Sequence, residues 1–409
     1  MPTKPRMSIK LLTVLLSLWI AACSDTDAFQ RYIAVIDAGS SGSRIYLYER
    51  SLTGGEIRVE QLYSEEGGLA LSSFENAPSD AGPNGLQPLL DKVGPKLDEL
   101  GIRRDLVQVN LLATAGMRLV EQRSASAAAA IYASARTALA ASRMSVGRVE
   151  TLTGQYEGIY SWADVNYLSG TLSGSGQTPL GIVEVGGASA QVAYVSTNAS
   201  DSQAASVSIN GRSYRVFSVS WLGLGQNEAR RSMIESTADG GGTASNACYP
   251  DNPSGAGALA DFNADIGGYR ILAGRYGFDP CSALYSAVLQ PFKVASVASG
   301  ADFAAARLIG VSSVYYAMKD WRALNDPGVL DDNLKANCEG ANAWGTKVSP
   351  FLGNATNKFA QNSCANSTYV NALLFGPAGL GVNPARFSAV PDINGQSLSW
   401  TRGFAVIGR

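Results

Sequence analysis

The chain contains no histidine. That absence removes Ser-His-Asp and Cys-His relays, His-ligated zinc and haem, and every imidazole general base at once. Acid-base chemistry therefore falls to carboxylates, hydroxyls or amines. Lysine is sparse, at positions 4, 10, 92, 96, 293, 319, 335, 347 and 358, and none is followed by Ser or Thr. A Walker-A loop, which needs Gly-Lys-Ser/Thr, is thus absent, and a phosphate site has to be built another way. Charged residues reach only 16%, well under the roughly 25% usual for soluble chains. With Lys+Arg at 32 against Asp+Glu at 34 there is no basic excess, which argues against nucleic acid as a partner. What is abundant is apolar residue, 46% of 409, and glycine, 44 residues. Such a chain is not globally disordered. At about 150 residues per domain it is long enough for two or three domains with a sizeable core.

The first 22 residues read as an export signal. Lys4, Arg6 and Lys10 precede a 12-residue, predominantly apolar run from Leu11 to Ala22, suited to a signal peptide and too short to span a bilayer as a helix. The run ends Ile20-Ala21-Ala22-Cys23, which resembles a bacterial lipobox, with Cys23 the lipidated residue. The expectation is a lipoprotein of the bacterial cell envelope, anchored on the periplasmic side or the cell surface through three acyl chains. Residues 23–29 read as a polar tether. Cleavage removes three positive charges and no negative ones, which moves the net charge from −2 to −5.

Four further cysteines, Cys248, Cys281, Cys338 and Cys364, lie in the last 40% of the chain. Two disulfides fit an exported, oxidising compartment. Four cysteines allow three connectivities, and the sequential one, 248 to 281 and 338 to 364, is preferred because both loops are moderate. A four-Cys zinc site is disfavoured, since no Cys-x-x-Cys pair occurs.

The most specific feature is an internal repeat. Tyr32 to Ile36 is a β-rich apolar run ending in Asp37, followed by Ala38-Gly39-Ser40-Ser41-Gly42-Ser43 and a second β run, Ile45 to Tyr48. The pattern returns about 147 residues later as Leu180 to Val183, Glu184, then Val185-Gly186-Gly187-Ala188-Ser189-Ala190, and Gln191 to Val195. Each copy places a carboxylate at a strand end beside a Gly-rich turn whose backbone N–H groups can converge on anionic oxygens. Glycine suits such a turn because it lets a phosphate approach the main chain closely. Val107 to Ala113 reads as a further strand, Glu121 to Arg143 as one Ala-rich helix, and Gly154 to Tyr167 as a helix with core-facing aromatics.

Two such lobes, each offering a phosphate-gripping hairpin to a shared cleft, resemble the architecture of the actin, Hsp70 and sugar-kinase superfamily. Asp37 to Arg44 (DAGSSGSR), Ala113 to Arg118 (ATAGMR), Gly154 to Tyr167 (GQYEGIYSWADVNY) and Glu184 to Gln191 (EVGGASAQ) resemble, in order, the first four apyrase conserved regions of the nucleoside triphosphate diphosphohydrolases. Ser220 to Gly225 and Ser397 to Gly403 resemble two later family elements. The resemblance covers roughly residues 31–409. It implies an α/β fold of two RNase-H-like lobes, the first from 30–153 and 390–409, the second from 154–389. It implies a monomeric enzyme that hydrolyses nucleoside tri- and diphosphates to monophosphate and phosphate, with Mg²⁺ or Ca²⁺.

By the same resemblance, Glu157 is the general base, and Ser189 and Gln191 orient the attacking water. Asp37 and Glu184 hold the cation, through its waters. Gly39, Ser40, Ser41, Gly42, Ser43, Arg44, Thr114, Gly186, Gly187 and Ala188 grip phosphate. The base is stacked by aromatics, with Tyr315 or Tyr316 as one wall and Phe375 as the other, unless these rings belong to the core. The chain departs from the family at Glu184, where the family has Asp. The extra methylene reaches about 1.5 Å further, a change expected to bear on metal preference or turnover. Two other readings stay open: an exopolyphosphatase-type phosphatase on the same fold, and a nucleotide-binding lipoprotein without catalysis.

Overall fold

The computed structural model describes residues 29–173, 176–198, 200–238, 243–252, 270–354 and 358–408. The export segment, Cys23 and the tether up to residue 28 lie outside them. Two mixed sheets organise these residues. In the first, β1 (Tyr32–Ala38), β2 (Ser43–Thr53), β3 (Glu56–Gly68), β4 (Val107–Ala113) and β5 (Ser145–Thr151) run in the order β3-β2-β1-β4-β5. β1 to β3 form an antiparallel meander, and β1, β4 and β5 are parallel.

The second sheet repeats this plan. Its strands are β6 (Gly181–Val185), β7 (Ser189–Val195), β8 (Ala204–Ile209), β9 (Arg212–Leu222), β12 (Leu308–Ser312) and β13 (Phe387–Ala389), in the order β13-β12-β6-β7-β9-β8. A small parallel pair, β10 (Thr243–Asn246) and β11 (Arg270–Gly274), stands apart. β6, β7 and β9 are antiparallel neighbours while β6, β12 and β13 are parallel. The sequence repeat is therefore a repeat of topology, with β8 added at one edge.

The helices are α1 (Gln87–Glu99), α2 (Ala115–Arg123), α3 (Ala125–Ala141), α4 (Gly154–Leu168), α5 (Gln226–Glu235), α6 (Phe278–Leu289), α7 (Ser313–Asp320), α8 (Pro327–Cys338), α9 (Ser363–Phe375) and α10 (Trp400–Ile407), with shorter turns between. The single helix expected from Glu121 to Arg143 is two. Ser124 leaves the helical region at φ −152°, and its hydroxyl accepts the Ala127 N–H at 3.2 Å to cap α3, as serine does at N-caps.

Alternation along the strands explains how the layers form. Ala34 and Ile36 of β1 face α1 and α3, whereas Ile33 and Val35 face a middle layer made by α4 and α10. β6 does the same from the other side, with Ile182 toward the middle layer and Val183 and Val185 toward the outer core of the second lobe. Strands buried on both faces read as continuous apolar runs. Trp162 and Ile159 of α4 are both fully buried in the middle layer, and Ile159 alone contributes about 1.5–3 kcal/mol of hydrophobic burial. α10 packs along α4 and touches β1, β2, β3 and β8, so this helix lies between the two sheets.

Cys248 is bonded to Cys281, and Cys338 to Cys364, with Cα separations of 4.9 and 6.2 Å. All four lie in the outer core of the second lobe. Closing loops of 33 and 26 residues is worth about 3–4 kcal/mol each in the chain-entropy account. Among the described residues no helix is long and apolar enough to cross a membrane.

Candidate active site

The two repeats meet at their turns. In the first, Asp37 pairs with Arg44 across β1 and β2; in the second, Glu184 pairs with Gln191 across β6 and β7. Each carboxylate is the penultimate residue of its strand, so topology alone carries both to one end of the molecule. The turns are packed against each other so closely that a Cβ on Gly187 would lie 2.6 Å from Ser40 Oγ. Between the lobes lies a cleft of about 990 Å³. It is lined at the hairpins by Asp37, Gly39, Ser40, Ser41, Arg44, Glu184, Gly186, Gly187, Ala188 and Ser189, with Thr114 and Glu157 beside them.

Four expected site residues are placed differently. Gly42 and Ser43 do not line the cleft. The Ser43 hydroxyl donates to the Leu69 carbonyl at 2.7 Å, because the strand alternation that turns Arg44 to the cleft turns its neighbour away. Gln191 is 1% exposed and stands behind Ser189 and Glu157. Phe375 takes the core alternative: it does not line the cleft but sits at the end of α9 with its ring edge-on to Phe387 at 5.8 Å, packed against the second lobe's core. The cleft wall carries the aromatic residues Tyr46, Tyr315, Tyr316, Phe351, Phe359 and Trp400. Tyr315 and Tyr316 are 5.2 Å apart, with Lys319 Nζ 5.9 and 5.8 Å from their ring centres.

Glu157 occupies the first turn of α4. Thr153 caps that helix, its hydroxyl accepting the Tyr156 N–H at 3.4 Å. Gly154 lets the helix start press against β9, since a Cβ there would lie 2.3 Å from Ser220 Cβ. Glu157 is 7% exposed. Its Oε2 accepts from Arg118 Nη2 and from Gln191 Nε2, the latter at 3.2 Å. Gln191 Nε2 also donates to Ser189 Oγ at 2.5 Å and to Ser220 Oγ at 3.0 Å. Arg118 reaches Ser220 Oγ at 3.2 Å and Ser189 Oγ at 3.3 Å. One buried network thus joins Arg118, Glu157, Ser189, Gln191 and Ser220. Within it, Gln191 Oε1 is buried with no hydrogen-bond partner among the described residues.

Burial pushes the Glu157 carboxyl up to about 8, against the pull of the Arg118 guanidinium and with a further push from Glu184 and Asp37. A carboxylate tuned there can accept a proton near neutral pH. Its deprotonated form grows as pH rises, so activity that uses it as a base is expected to climb toward about pH 8 and level off above. A bound divalent cation moves this limb to lower pH by favouring the charged form. A pH–rate profile at two cation concentrations checks both shifts, and a profile that stays flat from pH 5 to 8 would rule out Glu157 as the titrating base.

Asp37 and Glu184 form a second carboxylate group. Burial raises Asp37 to about 7, with Arg44 drawing it down and the Glu184 charge adding to the rise. Burial likewise raises Glu184, opposed by hydrogen bonds from Ser161 and Ser312. Two buried carboxylates that disfavour each other's charge are relieved by a cation between them. The nearby donors are oxygens only, which suits Mg²⁺ or Ca²⁺. Among the described residues no three His, Cys, Asp or Glu side chains gather as a closed cage, so such a cation would keep waters or substrate oxygens in its shell, as Mg²⁺ prefers. The residues present therefore fit the cation that the resemblance implies.

Sequence reasoning missed Arg118, Phe351 and Phe359. Arg118 closes the ATAGMR segment, but its partner Glu157 is 39 residues away, and no local pattern links them. Phe351 and Phe359 lie among short turns between Cys338 and Cys364, where no periodicity marks a face.

The sequence pattern of the GDA1/CD39 (nucleoside phosphatase) family matches residues 24–407. The chain is 26% identical over 410 residues to nucleoside-triphosphatase ntp-1 of Caenorhabditis elegans, covering 91% of this chain and 72% of that protein. It is 33% identical over 221 residues to the guanosine-diphosphatase of Schizosaccharomyces pombe, 51% of this chain and 39% of the other. It is 30% identical over 246 residues to ectonucleoside triphosphate diphosphohydrolase 3 of Mus musculus, 55% and 45% of the two chains. The matched region thus spans less than half the length of the latter two. Among solved structures it resembles a nucleoside triphosphate hydrolase of Neospora caninum, with TM-score 0.64, 17% identity and 92% of each chain covered. It also resembles the type II variant of the Aquifex aeolicus Ppx/GppA phosphatase, with TM-score 0.52, 12% identity, and 92% and 98% covered. Those two likenesses show the fold alone, an α/β architecture with two mixed sheets. From the match over residues 24–407, the chain belongs to the GDA1/CD39 (nucleoside phosphatase) family.

Proposed function

We propose that this chain hydrolyses nucleoside tri- and diphosphates to the monophosphate and phosphate, by in-line attack of water on the terminal phosphorus. The observation that carries this reading is the buried Glu157 network beside two opposed hairpins. A proton acceptor, the Ser189 side chain joined to it through Arg118 and Gln191, and the Gly-rich turns of both hairpins converge on one cleft. The amides of residues 39–41 and 187–189, with Ser40, Ser41 and Thr114, bind the phosphate oxygens and hold the terminal phosphoryl group in place. Ser189 holds the attacking water, with Gln191 fixing Ser189 and Glu157 from behind; the water's proton passes to Glu157 as its oxygen bonds the phosphorus and the bond from phosphorus to the bridging oxygen breaks, the shortened nucleotide leaving on that oxygen. Arg118 keeps that carboxylate aimed and favours its charged form. A divalent cation at Asp37 and Glu184, when bound, offsets the charge that spreads over the phosphate oxygens.

The rings of Tyr315, Tyr316, Phe351 and Phe359 on the cleft wall favour a nucleobase over a bare polyphosphate chain. Stacking reads any base by its face, so broad nucleoside tolerance follows. Replacing Tyr316 or Phe359, 58% and 59% exposed, by Ala is expected to raise KM for nucleotides by up to about tenfold with kcat little changed, since a stacking contact is worth about 0.5–1.5 kcal/mol. A change in kcat alone would place the rings outside the base site. The activity itself is tested by phosphate release from ATP, ADP and inorganic polyphosphate, with Mg²⁺ or Ca²⁺ and with chelator. Release from ATP and ADP but not polyphosphate is expected; release from polyphosphate alone, or from none, would overturn the proposal.

The export signal and the lipobox support a lipid-anchored monomer of the bacterial envelope, acylated at Cys23, and two disulfides suit an oxidising compartment. Metabolic labelling with palmitate should mark the full-length protein and not its Cys23→Ser variant; equal labelling of both would remove the anchor from the proposal.

A further inference from the structure

Glu184 stands where the resembled family has aspartate, and two serines meet its longer arm. Ser161 Oγ donates to Glu184 Oε2, and Ser312 Oγ donates to Glu184 Oε1 at 3.2 Å. One hydroxyl comes from α4 and the other from the end of β12, so both carboxylate oxygens are held from separate elements.

Neither serine does what its position ordinarily asks. Ser161 is 5% exposed in the interior of α4, where a serine commonly returns its hydroxyl to the carbonyl one turn earlier; this one bonds a carboxylate on β6. Ser312 is the N-cap of α7, a place where serine usually accepts a backbone N–H, yet its side chain caps nothing. Its backbone lies at φ 57°, ψ −128°, a combination glycine adopts freely and a residue with a Cβ rarely does. Strain of this kind persists where the surroundings hold it, and it gathers at functional sites. β12 runs parallel to β6 with Val311 opposite Glu184, so this strained residue is the one that arrives beside the carboxylate.

We propose that Ser161 and Ser312 form a two-hydroxyl clip that fixes the Glu184 carboxylate toward the cation site, and that the clip is what allows glutamate to serve there. This rests on the reading above that Asp37 and Glu184 face a divalent cation. An aspartate would reach about 1.5 Å less and withdraw from both hydroxyls. The glutamate and its clip are therefore one device, and the two serines are positioning residues.

The test makes Ser161→Ala and Ser312→Gly in the native chain and in the Glu184→Asp chain. Calorimetry measures the affinity for a β,γ-imido nucleoside triphosphate with and without Mg²⁺. In the native background each substitution is expected to cut the Mg²⁺-dependent gain in affinity about tenfold, the equivalent of one charge-assisted hydrogen bond. In the Glu184→Asp background the same substitutions should leave that gain unchanged. Ser312→Gly should also raise the midpoint of thermal unfolding, because it releases strain while loosening the carboxylate. An equal loss in both backgrounds, or no loss in the native one, would overturn the clip. A thermal-unfolding cycle between Ser161 and Glu184 needs no nucleotide and reads the contact by itself. Coupling in that cycle with no binding of the analogue would sink the nucleotidase reading and uphold the contact; absence of coupling would sink the clip.

Discussion

Glu157→Gln is expected to lower kcat by about 10²-fold or more, while the affinity for a non-hydrolysable nucleotide is retained. The amide has the shape of the carboxylate, and its carbonyl can still accept from Gln191, which now donates to Glu157 Oε2 at 3.2 Å. What it cannot do is take a proton from water. Arg118 would lose its charged partner, so an Arg118→Lys variant serves as the control for disturbed aim: it should fall less in kcat and keep the rise of activity toward about pH 8. In Glu157→Gln that rise should vanish. Ser189→Ala and Gln191→Ala should fall between these limits, since the first removes two and the second three hydrogen bonds from the network that keeps the base. Single-turnover rates together with calorimetric binding decide the matter, and near-normal turnover in the Gln variant would place the base elsewhere.

The parts of this site that were legible in the sequence are those whose chemistry is local. An acid at a strand end followed by a Gly-rich turn needs only some ten consecutive residues, and its return at Glu184 marks the two-lobed plan. Glu157 was legible because it lies inside a segment resembling a family motif. Arg118 was quoted in such a segment yet gained no role, because its partners Glu157, Ser189 and Ser220 come from three other elements. Ser43 was misread for a finer reason: the turn places the amides, but the first residue of β2 already obeys strand alternation and gives its hydroxyl to Leu69. Phe375 belongs to the core at the end of α9, whereas the cleft wall takes Phe351 and Phe359 from the loop closed by Cys338 and Cys364. Connectivity that depends on loop closure leaves no period to read.

The helix that carries Glu157 is itself anchored by an ion pair, and breaking that pair should have the largest effect on stability. Asp164 lies seven residues after Glu157 on α4, about two turns on, and meets Arg402 of α10 at 2.7 Å with side chains 1% and 2% exposed. Asp164 also accepts from the Ser399 N–H at 2.7 Å, and Arg402 donates to the Ser397 carbonyl and to Gln61, each at 3.1 Å. Burial pushes Asp164 up to about 6 even beside the guanidinium. The two partners are therefore unequal when left alone. Asp164→Ala strands a guanidinium that cannot shed its charge, and is expected to cost about 3–5 kcal/mol. Arg402→Met leaves a carboxyl that can take up a proton and remain neutral, so it should cost less at pH 5. Because that carboxyl's folded pKa then stands still further above its unfolded value, the Arg402→Met protein should lose stability as pH rises from about 4 through that raised value. Asp164→Leu combined with Arg402→Met should recover most of the loss, since apolar groups of similar size replace the pair. Urea unfolding of the four proteins at pH 5 and pH 8 measures all of this. Equal costs for the two single variants at both pH values would show that the pair acts through packing rather than through charge.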